Sequence, residues 1–287
     1  MKVFITGGTG FIGSEVIQEL VAAGHEVVGL SRSEKSKQAL AALGASSFDG
    51  SLEDLDSLKR GAQSVDAVIH CAFVHNFADF AAAGATDRQA IEAIGEALVG
   101  TNKPLLVTSG VPGGVSGHVV TEADGSGAFP RMSETAALPF AQREVCVTLV
   151  RPSRFVHGQA LTNGFIAALL GIAAQKGVSA YVGDGNNHIH AVNVLDLAKL
   201  YLLALEKNSP ATYQGVGDGA IPFRDVAEAI GKRLNVPTAS ISPEQAAEHF
   251  GFLGPIVGAD NPASSEMTQA ALGWRPTHPS LLEDLGK

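Results

Sequence analysis

Short apolar runs alternate with helically spaced segments through the first half of the chain. Val3-Phe4-Ile5 has the length and character of a buried strand. Just beyond it, apolar residues at 16, 17, 20 and 21 share one face of a helix. The pattern then repeats. Strands are expected at 26–30, 46–48, 66–72, 103–108 and 144–150, with helices at 34–43, after 51–54, at 86–100 and at 131–140. Gly24 and Gly44 punctuate two of the helix ends. Strands alternating with helices in this way belong to a parallel, doubly wound α/β sheet.

The second half changes character. Helices are expected at 162–176, 194–206, 223–234 and 243–250, with a turn at 181–187 and a short strand near 212–216. These elements cannot all extend one sheet. The expected architecture is a Rossmann-type domain over 1–158 and a smaller C-terminal α/β cap subdomain over 159–287, with return segments to the first domain. Such a cap would cover the C-terminal edge of the strands, where open α/β sheets bind ligands.

The stretch between the first strand and first helix is Thr6-Gly7-Gly8-Thr9-Gly10-Phe11-Ile12-Gly13. Its glycines suit a sharp turn at Gly7, close approach of a pyrophosphate at Gly10, and tight helix–strand packing at Gly13. The helix start offers free N–H groups and a positive dipole end to phosphates. The second strand ends in Ser31-Arg32-Ser33, where a dinucleotide fold faces the adenosine ribose. An acidic residue there suits NAD, whereas a guanidinium between hydroxyls suits the 2′-phosphate of NADP(H). The alternative is that Ser33 caps the next helix and Arg32 is solvated. Asp49-Gly50 ends the third strand, either as an adenine contact or as a turn.

Composition narrows the partners. The chain has 287 residues, 45% hydrophobic and 17% charged, which suits a buried core. Its net charge of −9 argues against nucleic acid, which needs a basic face. The two cysteines, Cys71 and Cys146, lie in or beside apolar runs and suggest a reduced, cytoplasmic setting rather than a disulfide framework. The longest late apolar stretch, 164–174, is about half a membrane span, so no membrane is expected. The segment from Val111 to Pro130 has little periodicity and is glycine-rich, a pattern typical of functional loops.

Taken together, TGGTGFIG at 6–13, Ser31-Arg32-Ser33, Asp49-Gly50, His70-Cys71-Ala72, Thr108-Ser109-Gly110, Arg151-Pro152, Tyr181-Val182-Gly183-Asp184-Gly185 and Leu272-Gly273-Trp274-Arg275-Pro276 resemble the short-chain dehydrogenase/reductase superfamily in its extended, epimerase-like branch. The resemblance implies cofactor contacts from Gly7, Thr9, Gly10, Phe11, Ile12, Gly13, Asp49 and Gly50, and nicotinamide-side contacts from Ala72, Thr108 and Pro152. It also implies a small-molecule substrate and dimerisation through paired helices, for which 86–100 and 131–142 are the candidates.

The chemistry departs from that pattern. The superfamily's proton donor is a tyrosine followed four residues later by a lysine. Pro130 and Glu134 stand near those places, and none of Tyr181, Tyr201 and Tyr213 has a lysine four residues on. The chain thus resembles atypical members lacking the pair. The substitutes considered are Ser109 on a substrate oxygen (or Gly110, if that is the true match), Arg131 on an oxyanion or carboxylate, and His157 as acid. His118, His188 and His190 are each better explained structurally, and His188-x-His190 lacks a third metal ligand. His75 and Asn76 stand in an irregular apolar segment as pocket wall. The expected activity is that of an NADPH-dependent carbonyl reductase acting on a small, fairly apolar substrate. The alternatives are a non-catalytic NADP sensor and an epimerase- or dehydratase-like enzyme on a sugar nucleotide.

Overall fold

A computed structural model describes residues 1–74, 79–114, 117–126, 131–158 and 160–287. His75, Asn76 and Pro130 lie outside the described residues. The chain runs β1 (Lys2–Thr6), α1 (Phe11–Ala22), β2 (Glu26–Ser31), α2 (Glu34–Ala42), β3 (Ser46–Asp49), α3 (Leu55–Gln63), β4 (Ala67–His70), α4 (Phe80–Leu98), β5 (Pro104–Thr108), α5 (Ser133–Ala137) and β6 (Cys146–Pro152). There follow β7 (Phe155–His157), α6 (Gly164–Lys176), β8 (Ser179–Val182), β9 (His188–Asn193), α7 (Val194–Lys207), β10 (Ala211–Gly215), β11 (Asp218–Pro222), α8 (Phe223–Leu234), β12 (Thr238–Ile241) and α9 (Pro243–Phe250).

Seven strands form one sheet in the order β10-β6-β5-β4-β1-β2-β3. The registered pairs from β3 through β6 are parallel. The order reverses direction beside β1, as in doubly wound folds. Strands β4 and β5 are buried throughout, as parallel strands covered on both faces must be. Helix α3 lies close on β1: a Cβ on Gly61 would come within 2.6 Å of the Phe4 ring.

Contacts divide the chain into two compact units. The first comprises residues 1–109, 128–151 and 197–213 and is centred on Phe4, Leu58, Val68, Ile91, Leu105 and Leu149. The second comprises 110–127, 152–196 and 214–287 and is centred on Phe155, Ile166, Leu169, Ile189, Phe223 and Phe250. It carries two small sheets, β11-β9-β7 and β12-β8. Its tail is fastened by the buried Trp274, whose Nε1–H donates to the Asp196 carbonyl at 2.8 Å.

Three local differences from the sequence pattern have physical reasons. Helix α4 begins six residues before Thr86 because the Asp79 carboxylate accepts from the Ala82 N–H at 3.0 Å and caps it there. The helix expected over 131–140 is α-helical only to Ala137, where a 3-10 turn over Leu138–Arg143 with Pro139 near its start takes over. Tyr201 and Tyr213, which follow the sixth strand in sequence, fall in the first unit through the return of α7 and β10.

Candidate functional site

The glycine turn is built by the backbone. Gly7 has φ +73°, and a Cβ there would lie 2.7 Å from the Ala72 nitrogen. The Gly10 N–H donates to the Gly7 carbonyl at 2.9 Å. A Cβ on Gly13 would meet that same carbonyl oxygen at 2.2 Å, so α1 can pack against the turn only with glycine at this point. Gly10 is the N-cap of α1, in extended conformation, with no side-chain cap and no acidic residue in the first turn. The N–H groups at this helix start therefore have no side-chain acceptor, and Thr9 and Gly10 are exposed. An anion fits this end without displacing a protein group.

At the end of β2 the two serines behave differently from the arginine. Ser31 is buried and donates to the Ser33 carbonyl at 3.1 Å, with Ser36 Oγ at 2.7 Å. Ser33 caps α2, accepting from the Ser36 N–H at 3.2 Å in a reciprocal box. Arg32 is exposed and makes no hydrogen bond or salt bridge among the described residues, its charge being felt only by Glu53. Asp49 meets Lys37 at 2.7 Å, and that contact raises the lysine's pKa. The Gly50 N–H donates to the Ser31 carbonyl at 3.0 Å, and a Cβ there would strike the Ser57 hydroxyl.

At the C-terminal ends of β1, β4, β5 and β6 lies a buried polar network. Ser109 Oγ donates to Glu134 Oε1 at 2.7 Å. Arg151 donates to both oxygens of the same carboxylate, at 2.7 and 2.8 Å, a fork-on-fork pair. Arg131 donates through one terminal nitrogen to the Ser109 carbonyl at 3.0 Å and through Nε to Ser133 Oγ at 2.8 Å. Its guanidinium carbon sits 4.3 Å from the centre of the Phe73 ring. The other terminal nitrogen is buried with no hydrogen-bond partner and lies 3.7 Å from Asp87. Asp87 accepts from Ser133 at 2.5 Å and pairs with His70 Nε2 at 3.1 Å, while His70 Nδ1 meets the Thr6 hydroxyl at 2.9 Å. Burial pushes the Asp87 carboxyl up, but the His70 hydrogen bond, the Arg131 charge and the Ser133 hydroxyl together hold it below its ordinary value.

Thr108 faces elsewhere than a solvent cleft. Its hydroxyl lies 2.6 Å from the Tyr201 hydroxyl and donates to Cys71 Sγ at 3.4 Å. Burial pushes the Cys71 thiol up to about 11 and raises the Tyr201 phenol well above its usual value, so neither ionises near neutrality. Tyr201 has Leu205 where the Tyr-x-x-x-Lys pattern needs a lysine, and it reaches the end of β5 from α7, 93 residues away in sequence. Glu134 and Arg151 were likewise not recognisable as a pair, although the placement of Glu134 in the lysine's stead was a signal.

The histidines are spread out. His157 is 1% exposed, its Nδ1 lies 2.9 Å from Asp284, and burial lowers its pKa despite that neighbour. His118 pairs with Asp124 and His188 with Asp260, each at 2.9 Å. His190 is enclosed. Pro152 ends β6, and its carbonyl accepts from the Val111 N–H at 3.2 Å.

A parallel seven-stranded sheet with a glycine turn after β1 defines a Rossmann-like fold of the dehydrogenase and epimerase type. The model of the NAD dependent epimerase/dehydratase family matches residues 3–93. An uncharacterized protein of Schizosaccharomyces pombe is 45% identical, covering 99% of this chain and 98% of that one. The 4-hydroxy-2-methyl-3-oxo-4-farnesyl-3,4-dihydroquinoline-1-oxide ketoreductase of Stigmatella aurantiaca is 26% identical, covering 88% and 80%. Among solved structures, the dTDP-glucose 4,6-dehydratase of Streptomyces venezuelae with NAD bound superposes with a TM-score of 0.78 at 19% identity, covering 100% and 95%. The chain belongs to the NAD dependent epimerase/dehydratase family. No helix among the described residues is long and apolar enough to cross a membrane.

Proposed function

We propose that this chain is an NADP(H)-dependent oxidoreductase, a carbonyl reductase on a small, fairly apolar substrate in the cytoplasm. The observation that carries the reading is the uncapped start of α1 behind a turn that admits no side chains at Gly7 and Gly13. A dinucleotide would be held there by the backbone of residues 7–13. Arg32, exposed and without a hydrogen bond or salt bridge among the described residues, would take the 2′-phosphate. Ser33 is engaged in capping α2 and Ser31 in hydrogen bonds to Ser33 and Ser36, so the selectivity falls on the guanidinium. Bound nicotinamide supplies the hydride.

The protein's own share is to hold the carbonyl and deliver a proton. Arg131 is the group for the oxygen, because one of its terminal nitrogens still lacks an acceptor. Ser109 has its own proton committed to Glu134 and keeps its lone pairs, so it positions a proton-bearing water rather than acting as the acid itself. The enclosure of His157 beside Asp284 favours a packing role, and it has no part in this scheme.

Fluorescence titration tests the cofactor. Arg32→Asp is expected to weaken NADPH by ~10-fold or more relative to NADH, the worth of a charge-assisted contact; equal weakening of both overturns the 2′-phosphate assignment. For chemistry, Arg131→Met is expected to lower kcat/KM by ~100-fold. Tight NADPH binding with no oxidation across a panel of ketones and aldehydes would instead favour the sensor.

A further inference from the structure

Helix α5 is too short to hold Arg131 by itself. It is five residues long and starts without a side-chain cap. A carboxylate on α4 holds its start instead. The Arg131 Nε–H can only donate, and it donates to Ser133 Oγ at 2.8 Å; the Ser133 hydroxyl donates onward to Asp87 Oδ2 at 2.5 Å. The terminal nitrogen of Arg131 that lacks an acceptor lies 3.7 Å from Asp87 Oδ1. One carboxylate therefore acts on the guanidinium twice, through a hydroxyl and by charge.

The same carboxylate reaches the sheet. Asp87 Oδ1 lies 3.1 Å from His70 Nε2, His70 Nδ1 lies 2.9 Å from the Thr6 hydroxyl, and Thr6 Oγ1 accepts from the Ala72 N–H at 3.3 Å. The direction of these bonds follows from the groups. A carboxyl held below its ordinary value is ionised and only accepts, so the proton stands on His70 Nε2. The neutral ring then presents a bare Nδ1, to which the Thr6 hydroxyl donates. Thr6 closes β1 and His70 closes β4, side by side in the parallel register. Ala72 is the residue whose nitrogen a Cβ on Gly7 would meet at 2.7 Å. Thr6, His70, Asp87 and Ser133 all lie in the first unit, each 1% exposed or less. Bulk water competes for none of these links.

We propose that Asp87 is a positioning residue: through Ser133 on one side and His70 and Thr6 on the other, it registers the Arg131 guanidinium against the strand ends that carry the glycine turn. The proposal rests on the roles proposed above for Arg131 and the turn. Groups that serve one substrate and one dinucleotide must be held within about 0.5 Å of their working places. A buried chain of hydrogen bonds with a single donor order does this for a helix that cannot do it alone.

NMR on the full chain labelled with 15N in histidine and arginine, free of dinucleotide, reads the links directly. His70→Gln and Arg131→Met assign the two side chains by loss of signal. In the wild type His70 is expected to be neutral with its proton on Nε2. A ring protonated on both nitrogens, or on Nδ1 alone, overturns the donor order and the proposal with it, and that reading needs no variant to fold. Thr6→Val removes the hydroxyl at the far end of the chain at nearly constant volume. Exchange of the Arg131 Nε–H is expected to quicken by ~10-fold, the worth of one hydrogen bond, and Thr6→Ser to restore the slow rate. Ser133→Ala should quicken it at least as much. An Arg131 Nε–H that responds to Ser133→Ala but not to Thr6→Val is held locally, which also overturns the proposal. NADPH titration of the same samples keeps the two readings apart. An arginine signal that follows Thr6 in a protein that binds no NADPH sinks the cofactor reading and leaves the register standing; tight NADPH binding with an arginine indifferent to Thr6 does the reverse.

Discussion

The turn at residues 7–13 and the network at Ser109, Arg131, Glu134 and Arg151 sit in the same unit and solve opposite problems. The turn works by leaving side chains out. Its glycines bring the start of α1 to a surface where no side chain caps the helix. The network works by mutual satisfaction, with four charged or hydroxyl groups tied to one another across three elements. The first leaves the helix start without a side-chain cap, and the second leaves few of its polar groups unanswered. Only one Arg131 nitrogen in it lacks an acceptor. The turn tolerates open N–H groups because water reaches them, whereas buried charges must be paired where they stand.

Breaking the network should have the largest effect on stability. Glu134→Ala leaves Arg151 buried without its carboxylate and frees the Ser109 hydroxyl. The expected loss is about 3–5 kcal/mol, read by chemical denaturation. Glu134→Lys sharpens the point. It puts a lysine where the superfamily pattern has one, yet sets it against Arg151, so it should be no better folded than the alanine variant. A stable, active Glu134→Lys protein would show that Arg151 does not depend on this carboxylate.

Breaking the turn should act on binding first. Gly13→Val sets a branched side chain against a carbonyl 2.2 Å from its Cβ position, so the turn must open. NADPH affinity is expected to fall by ~100-fold or more, while overpacking costs about 1–3 kcal/mol of stability. Unchanged NADPH binding in Gly13→Val would remove the turn from the cofactor site.

The same contrast explains what could be read from sequence. The turn was legible because its shape is written in residue type at close spacing between a strand and a helix. Helices α8 and α9 were legible to the residue, since Phe223–Leu234 is strongly amphipathic and Pro243–Phe250 opens with a capping box after Ser242. The doubly wound sheet followed from alternation. The network was not legible, because Ser109 to Glu134 spans 25 residues and Asp87 to Ser133 spans 46. Which acid meets which base is decided by sheet order, not by sequence neighbours. The three-stranded sheet β11-β9-β7 was missed for a related reason: β7 is three residues long and carries no pattern of its own.

The smallest effect concerns the edge of the network nearest β1. Asp87 is 1% exposed and titrates below its ordinary value near 3.8. A carboxyl depressed in the folded state binds fewer protons there than when unfolded, so its contribution is present above the unfolded value. It is lost as pH falls through the folded one. Melting curves of the wild type should therefore steepen their decline below about pH 4, by at most ~1.4 kcal/mol per pH unit from this group. Asp87→Asn keeps the shape but presents an amide to His70 and Arg131. It should cost about 1–3 kcal/mol at neutral pH and show a shallower acid limb, the two curves converging as pH drops. Parallel curves would mean that Asp87 is held no more tightly in the folded chain than in the unfolded one. The hydrogen bonds from Ser133 and His70 would then contribute shape rather than stability.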